Sequence, residues 1–457
     1  MYQQPDPWAP AWARRAVFYH INPFGFLGAP PKNDLSGPVE PRLADLRAWY
    51  DHITGLGIDA ICLGPVFQSL SGGRDVVDYL TVDRRLGDVD LLKQIVSELH
   101  ERGVRVILDG GFHHTSRTFF AFRDLCHHKR DSRYAEWYLV DWSADGGHHD
   151  GFSYACGEEN EELPRLNLDN ADVRRHIFDA ARYWLGEVGV DGWRLASAYD
   201  ISPGFWWEFR RVCKTTRPDC FLLGELMHGD YRAHVAPDLL DSGTNYEGRT
   251  AVVRALAERS YRELKAVSER AWHSEWGVYK DLVLMNSLGS GDTPRILGQL
   301  KEAAHVYPAL IYLMTVPGIP CLYYGDEVGL RGDPHAPMPA PDSEWPDRER
   351  GLYDMMRRLI AIRKNHPALM FGDFSALAAD DPAFAYLRRL DAHCAVIILN
   401  AGDRPAGLDL FVGEAGIPDG AVFYDALDEG HPEFRVRSGM LYVDSIPSAF
   451  GQILVAR

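Results

Sequence analysis

The 457-residue sequence predicts an α/β fold: a (β/α)₈ TIM barrel, a long insertion after its third strand and a C-terminal antiparallel β-sandwich. Three observations carry this expectation. Short apolar, β-rich runs alternate with amphipathic helical stretches from about residue 16 to 365. Such strand–helix units build a parallel sheet, and about eight of them close into a barrel. One connection, from His113 to Asn167, is too long for an ordinary barrel loop, and ordered insertions at the carboxyl ends of barrel strands are usually functional. After RKNHPAL (363–369) the pattern switches to alternating residues with turn signals, as in AFAYLRRLDAHCAVIILNAGD (383–403). The expected division is residues 1–112 and 168–368 for the barrel, 113–167 for the insertion and 369–457 for the β domain.

In chain order, AVFYHIN (16–22) and DAICLGPV (59–66) read as the first two strands, with LADLRAWYDHITGLG (43–57) as the helix between them, closed by Gly57. DLLKQIVSELHERG (90–103) sets Leu91, Leu92, Ile95, Val96 and Leu99 on one helical face and stops at Gly103. VRVILDG (104–110) follows as the third strand. Beyond the insertion, the helix DVRRHIFDAARYWLGEVG (172–189) leads into GWRL (192–195). FLLGE (221–225), SGTNYE (242–247), LVLMN (282–286) and PCLYYG (320–325) supply the remaining strands.

Composition narrows the function. A hydrophobic content of 46% with 25% charged residues is that of an ordinary globular protein, long enough for two or three domains. A net charge of −17 argues against nucleic acid and against an anionic membrane, both of which need basic surface. No apolar run reaches the roughly 18 residues of a membrane span. The 12 Trp, 21 Tyr and 20 Phe include enough flat faces to stack sugars, although most belong to the core. Cysteines 62, 126, 156, 213, 220, 321 and 394 form no CxxC pair and are odd in number, and no charged-then-apolar leader precedes Trp8. The expectation is a reduced, cytoplasmic protein.

Four strands run directly into polar residues: VRVILDGGFHHT (104–115), GVDGWRLASAYD (189–200), FLLGELMH (221–228) and LVLMNSLGSGDTPR (282–295). In this order they resemble the four signature regions of the α-amylase family of glycoside hydrolases. DVVDYLTVDRRLG (75–87), LPRLN (163–167) and PGIPCLYYGDEVGL (317–330) resemble further family segments, LPRLN pointing to the neopullulanase and cyclomaltodextrinase group. The resemblance implies a B domain for the insertion. It makes Glu225 the catalytic acid/base and Asp292 the stabiliser that grips sugar hydroxyls. It makes Arg194 the orienter of the nucleophile, with Asp109 and His114 as supporting first-region residues. Tyr19, His113 and Arg74 join the expected substrate-binding set. No cofactor and no metal are expected. At the calcium ligand position of typical α-amylases stands His113, and imidazole is a poor calcium ligand. Adjacent strand residues such as His113 and His114 are expected to face apart, which disfavours a metal built on both.

The departures from the family pattern concentrate in one pocket. The second region normally reads G-x-R-x-D and ends in the nucleophile, and here that position is Ala196. Gly72-Gly73-Arg74 stands where the family has His-Gly-Tyr, His113 where it has Asn, and Gly291 where it has His. Three of the five changes, Gly72, Ala196 and Gly291, are to small residues, so a widened pocket is expected. The implied function is an α-glucan hydrolase or transglycosylase on short malto-oligosaccharides, with its retaining mechanism disabled or altered at Ala196. Two alternatives remain open at this level. One is a non-catalytic oligosaccharide-binding relative. The other is a barrel refitted for another substrate, with Arg74 holding an anionic group and His113 as base.

Overall fold

Eight short parallel strands form the central sheet: β1 (Phe18–Ile21), β2 (Ala60–Leu63), β3 (Arg105–Gly110), β4 (Gly192–Leu195), β5 (Phe221–Gly224), β6 (Ser242–Gly243), β7 (Met285–Ser287) and β8 (Ile319–Tyr323). The structure is a computed structural model describing residues 8–341 and 347–457. The strand order is β6-β5-β4-β3-β2-β1-β8-β7, and a parallel bridge between Thr244 and Met285 joins β6 to β7. The ring is thereby closed, as the TIM-barrel reading requires.

Side-chain parity along these strands positions everything that follows. Inward-facing Phe18, Cys62, Ile107, Phe221, Leu223 and Cys321 form one buried cluster at the foot of the barrel. Their neighbours Tyr19, Ile61, Val106, Leu108, Trp193 and Leu222 point the other way and join the larger core beneath the helices. Successive strand residues alternate faces. The next inward positions toward the carboxyl ends are therefore His20, Asp109, Arg194, Glu225 and Tyr323, all buried. The axis is apolar at its foot and polar at its mouth.

Some elements differ from the sequence pattern. SGTNYE contributes only Ser242–Gly243 to the sheet, because the Asn245 side chain accepts from the Gly248 N–H at 3.0 Å and caps the helix Tyr246–Glu258. The helix after β1 opens as 3₁₀ turns, Arg42–Trp49, before its α-helical part Tyr50–Leu56, and ends at Gly57 with φ 92°. In the helix Val89–Glu101, Leu92, Ile95, Val96 and Leu99 are buried and Leu91 only half so.

Residues 113–167 contain the helix Phe120–His128 and two small hairpins, Val140–Asp141 with Ser153–Tyr154 and Cys156–Gly157 with Asn160–Pro164. The C-terminal strands are β9 (Asp373–Asp380), β10 (Ala383–Leu390), β11 (His393–Asn400), β12 (Ala406–Phe411), β13 (Val422–Asp425), β14 (Glu433–Arg435), β15 (Met440–Ile446) and β16 (Phe450–Ala456). Six form an antiparallel sheet in the order β9-β10-β11-β16-β13-β14, and β12 pairs with β15. Leu387, Val396 and Ile398 meet Leu410, Leu441 and Val443 in a core between the two sheets, giving a sandwich. All seven cysteines are free thiols, with Cys62, Cys213 and Cys321 buried. Among the described residues no helix is long and apolar enough to cross a membrane.

Candidate active site

Arg194 is the centre of the polar mouth. It pairs in register with Asp109 on β3 and with Leu223 on β5, two residues before Glu225. Its Nη1 donates to Asp109 Oδ2 at 2.9 Å and its Nη2 to Glu225 Oε1 at 2.6 Å. Asp292, in the loop after β7, brings Oδ2 to 3.9 Å from the same nitrogen. Glu225 also accepts from the Tyr246 hydroxyl at 3.3 Å and, through Oε2, from the Ser197 N–H at 3.3 Å. Three carboxyl groups from three strand ends thus surround one buried guanidinium.

Burial pushes the Asp109 carboxyl up to about 6; Arg194 offsets part of this, and the like charges of Glu225 and Asp292 add to it. Its Oδ1 is buried without a hydrogen-bond partner among the described residues. The folded chain therefore holds this proton to higher pH than the unfolded chain does. The resulting stabilisation is complete below pH about 4 and is lost as pH rises through about 6. Asp109→Asn is expected to flatten that part of the curve of melting temperature against pH. Parallel curves for the two proteins would rule out Asp109 as the source of the slope.

Ala196 is the next inward position after Arg194. It lies just past the end of β4, half-buried, with its N–H donating to Gly110 O at 3.1 Å. Ser197 follows in left-handed backbone, φ 51°, and turns the chain away. The inner face of β4 therefore delivers a guanidinium and a methyl group to the mouth, and no carboxyl.

Above this floor, Arg74 donates from Nη1 to Glu158 Oε2 at 2.7 Å and from Nη2 to Asp292 Oδ1. His114 is buried and its pKa is lowered, chiefly by that burial. His113 is lowered to about 4 by burial, with Arg165 and His114 adding to the effect, and its Nε2 is buried without a partner among the described residues. The two imidazoles do not face apart. They lie in the loop beyond β3 rather than on the strand, with Nδ1 atoms 3.4 Å apart and ring centroids 5.7 Å apart at 86°. Among the described residues no group of three or more His, Cys, Asp or Glu is placed to hold a metal ion.

Several expectations need correction. Tyr19 is fully buried on the outer face of β1, and its hydroxyl donates to Glu327 Oε1 at 2.7 Å. Parity gives the inward place to His20, so Tyr19 cannot bind substrate at the mouth. Arg74 offers no open anion site, because both terminal nitrogens already meet carboxylates. The pocket is not widened at Gly291. A Cβ there would stand 3.3 Å from His335 Cε1 and 3.5 Å from the Tyr323 hydroxyl oxygen, so the His335 ring fills the space. That ring is held by Asn22, whose Nδ2 lies 3.2 Å from Nδ1. Around Gly72 the space is open. Sequence reasoning passed over Tyr246, Glu158 and His335, which reach the mouth from segments outside the four strand-end motifs.

Comparison with known proteins agrees with this architecture. The catalytic-domain model of the α-amylase family matches residues 46–344. Neopullulanase 2 of Thermoactinomyces vulgaris is 33% identical over 449 residues, which cover 92% of this chain and 74% of that protein. A cyclomaltodextrinase from a Bacillus species is 33% identical over 415 residues, 86% of this chain and 73% of that one. The cyclic α-maltosyl-(1→6)-maltose hydrolase of Arthrobacter globiformis, solved with cyclic α-maltosyl-(1→6)-maltose, superposes with a TM-score of 0.82 at 27% identity, covering 98% of this chain and 99% of that chain. The similarity runs through the barrel, the insertion and the C-terminal sheets, which a chance likeness of barrels would not do. The chain belongs to the α-amylase family of glycoside hydrolases.

Proposed function

We propose that this barrel mouth binds short malto-oligosaccharides and that the chain, as written, has lost the covalent route by which a retaining glycosidase cleaves them. The relatives named neopullulanase and cyclomaltodextrinase support an α-glucan as ligand. The observation that carries the second half is Ala196. Retaining hydrolysis needs two carboxyl groups roughly 5–5.5 Å apart, one to protonate the leaving oxygen and one to attack the anomeric carbon. Glu225 takes the first role, held by Arg194 and Tyr246. Asp292 takes hydroxyl binding and transition-state stabilisation, and Arg194, Asp109 and His114 support the site. Position 196 takes no role, because a methyl group forms no glycosyl–enzyme bond.

An intact oligosaccharide is then expected to bind and remain. Calorimetry should give heat with maltotetraose, and millimolar ligand should raise the melting temperature by mass action. The same sample should release no maltose at an ordinary enzymatic rate, on the order of 1–10³ per second. Maltose of retained configuration at such a rate would overturn the loss of the covalent route. Neither heat nor a shift of the melting curve, with maltotetraose or with cyclodextrin, would overturn the ligand assignment.

A further inference from the structure

Arg74 ties together three segments at the mouth. It sits at the tip of the hairpin formed by Phe67–Ser69 and Val76–Val82, after Gly73 at φ 96°. One arm of its guanidinium reaches Glu158, 84 residues away in the insertion, and the other reaches Asp292, 218 residues away in the loop after β7. Glu158 and Glu159 both hold left-handed backbone, φ 55° and 57°, in the turn between two short strands. Non-glycine residues rarely adopt that conformation. Asp292 is the member with the most at stake. Its Oδ1 meets Arg74 and its Oδ2 faces Arg194 at 3.9 Å, so both oxygens are turned to guanidinium groups. A sugar hydroxyl that approaches Asp292 Oδ1 therefore meets Arg74 as a competitor.

We propose that Arg74 is a clasp across the mouth, bridging Glu158 and Asp292, and that it competes with the bound sugar for Asp292. The inference rests on the malto-oligosaccharide reading above and adds to it a residue that sets affinity. The three side chains are 52%, 47% and 31% exposed, so the clasp is weak and reversible. Exposed pairs are worth roughly 0.2–1 kcal/mol each. The Arg74–Asp292 pair acting against the ligand corresponds to about a 1.5- to fivefold weaker Kd. Because the sugar is neutral and the clasp ionic, salt should screen the clasp and leave direct sugar contacts almost untouched. Salt should therefore tighten binding.

The test uses the full chain with Arg74→Met, which keeps the stem without the charge, and Glu158→Gln, which loosens one arm and leaves Asp292 untouched. Maltotetraose affinity is measured by calorimetry at about 50 and 500 mM salt, a range over which screening of exposed charges changes strongly. Hydrogen exchange of segments 156–160 and 290–293 is followed without ligand. The expected result is faster exchange in both segments for both variants. Arg74→Met should bind about 1.5- to fivefold tighter than the unaltered chain and lose the salt response, which Glu158→Gln, still pairing Arg74 with Asp292, should keep. Weaker binding by Arg74→Met would show that Arg74 holds the sugar and overturn the competition. Unchanged exchange in both variants would overturn the clasp whatever the affinities. Faster exchange with no maltotetraose binding by any of the three proteins would establish the clasp and instead overturn the ligand reading.

Discussion

Ala196→Asp is expected to raise hydrolysis of malto-oligosaccharides by on the order of 10³-fold or more. Residue 196 is the inward position that follows Arg194, and β4 supplies the mouth with no other acid at its end. A carboxylate there would stand beside the guanidinium that already holds Glu225 at 2.6 Å. The second acid would thus face the first across one arginine. Product maltose should then carry the retained configuration, and Glu225→Gln in that background should abolish the gain. The unaltered chain offers a complementary measurement. Azide or formate, approaching past the methyl group of Ala196, should attack an activated α-glucosyl fluoride and give product of inverted configuration. Recovery should remain partial, because Arg74 occupies Asp292 and no aromatic platform stands at position 74. A folded Ala196→Asp protein inactive on every α-glucan tried would mean that Gly72, Arg74, His113 and Gly291 matter more than a carboxylate at position 196.

Arg194→Met should be the most destabilising single change at the mouth. It leaves Asp109 and Glu225 buried without their shared counter-charge. Breaking a buried ionic network from one side costs about 3–5 kcal/mol. The melting temperature at pH 7 should fall by about 3–5 °C. The deficit should shrink at pH 5, since Asp109 is already pushed up to about 6 with Arg194 present and is mostly protonated there. Asp109→Asn in the same background should recover part of the loss, which a double-mutant cycle would read directly. A loss below about 1 kcal/mol, or one equal at both pH values, would mean that the arginine is not the keystone described here.

The barrel was legible because short apolar strand runs alternate with amphipathic helices, and the floor of the mouth because those runs lead directly into polar residues. Asp109, Arg194 and Glu225 each end an apolar strand, and parity alone sends all three to the axis. Tyr19 shows how sharp that rule is: a shift of one residue exchanges the pocket for the outer core. The pair His113–His114 shows its limit, since alternation ends where the strand ends. Tyr246, Glu158 and His335 left no comparable trace. They come from a helix start, a two-residue turn and a loop after β8, and only the three-dimensional arrangement brings such distant segments together. Gly291 was misread for this reason, because the ring that fills its space is 44 positions further along the chain.

The crowd of acids around Arg194 also bears on how such a chain persists through time. A lineage that keeps aspartate at position 196 maintains a fourth carboxyl in a space where burial and neighbouring charges already push Asp109 up to about 6. Alanine relieves that repulsion, and functional sites are commonly where stability is given up for activity. Ala196→Asp should accordingly lower the melting temperature in the same step that raises turnover. At this one position, stability and turnover pull in opposite directions.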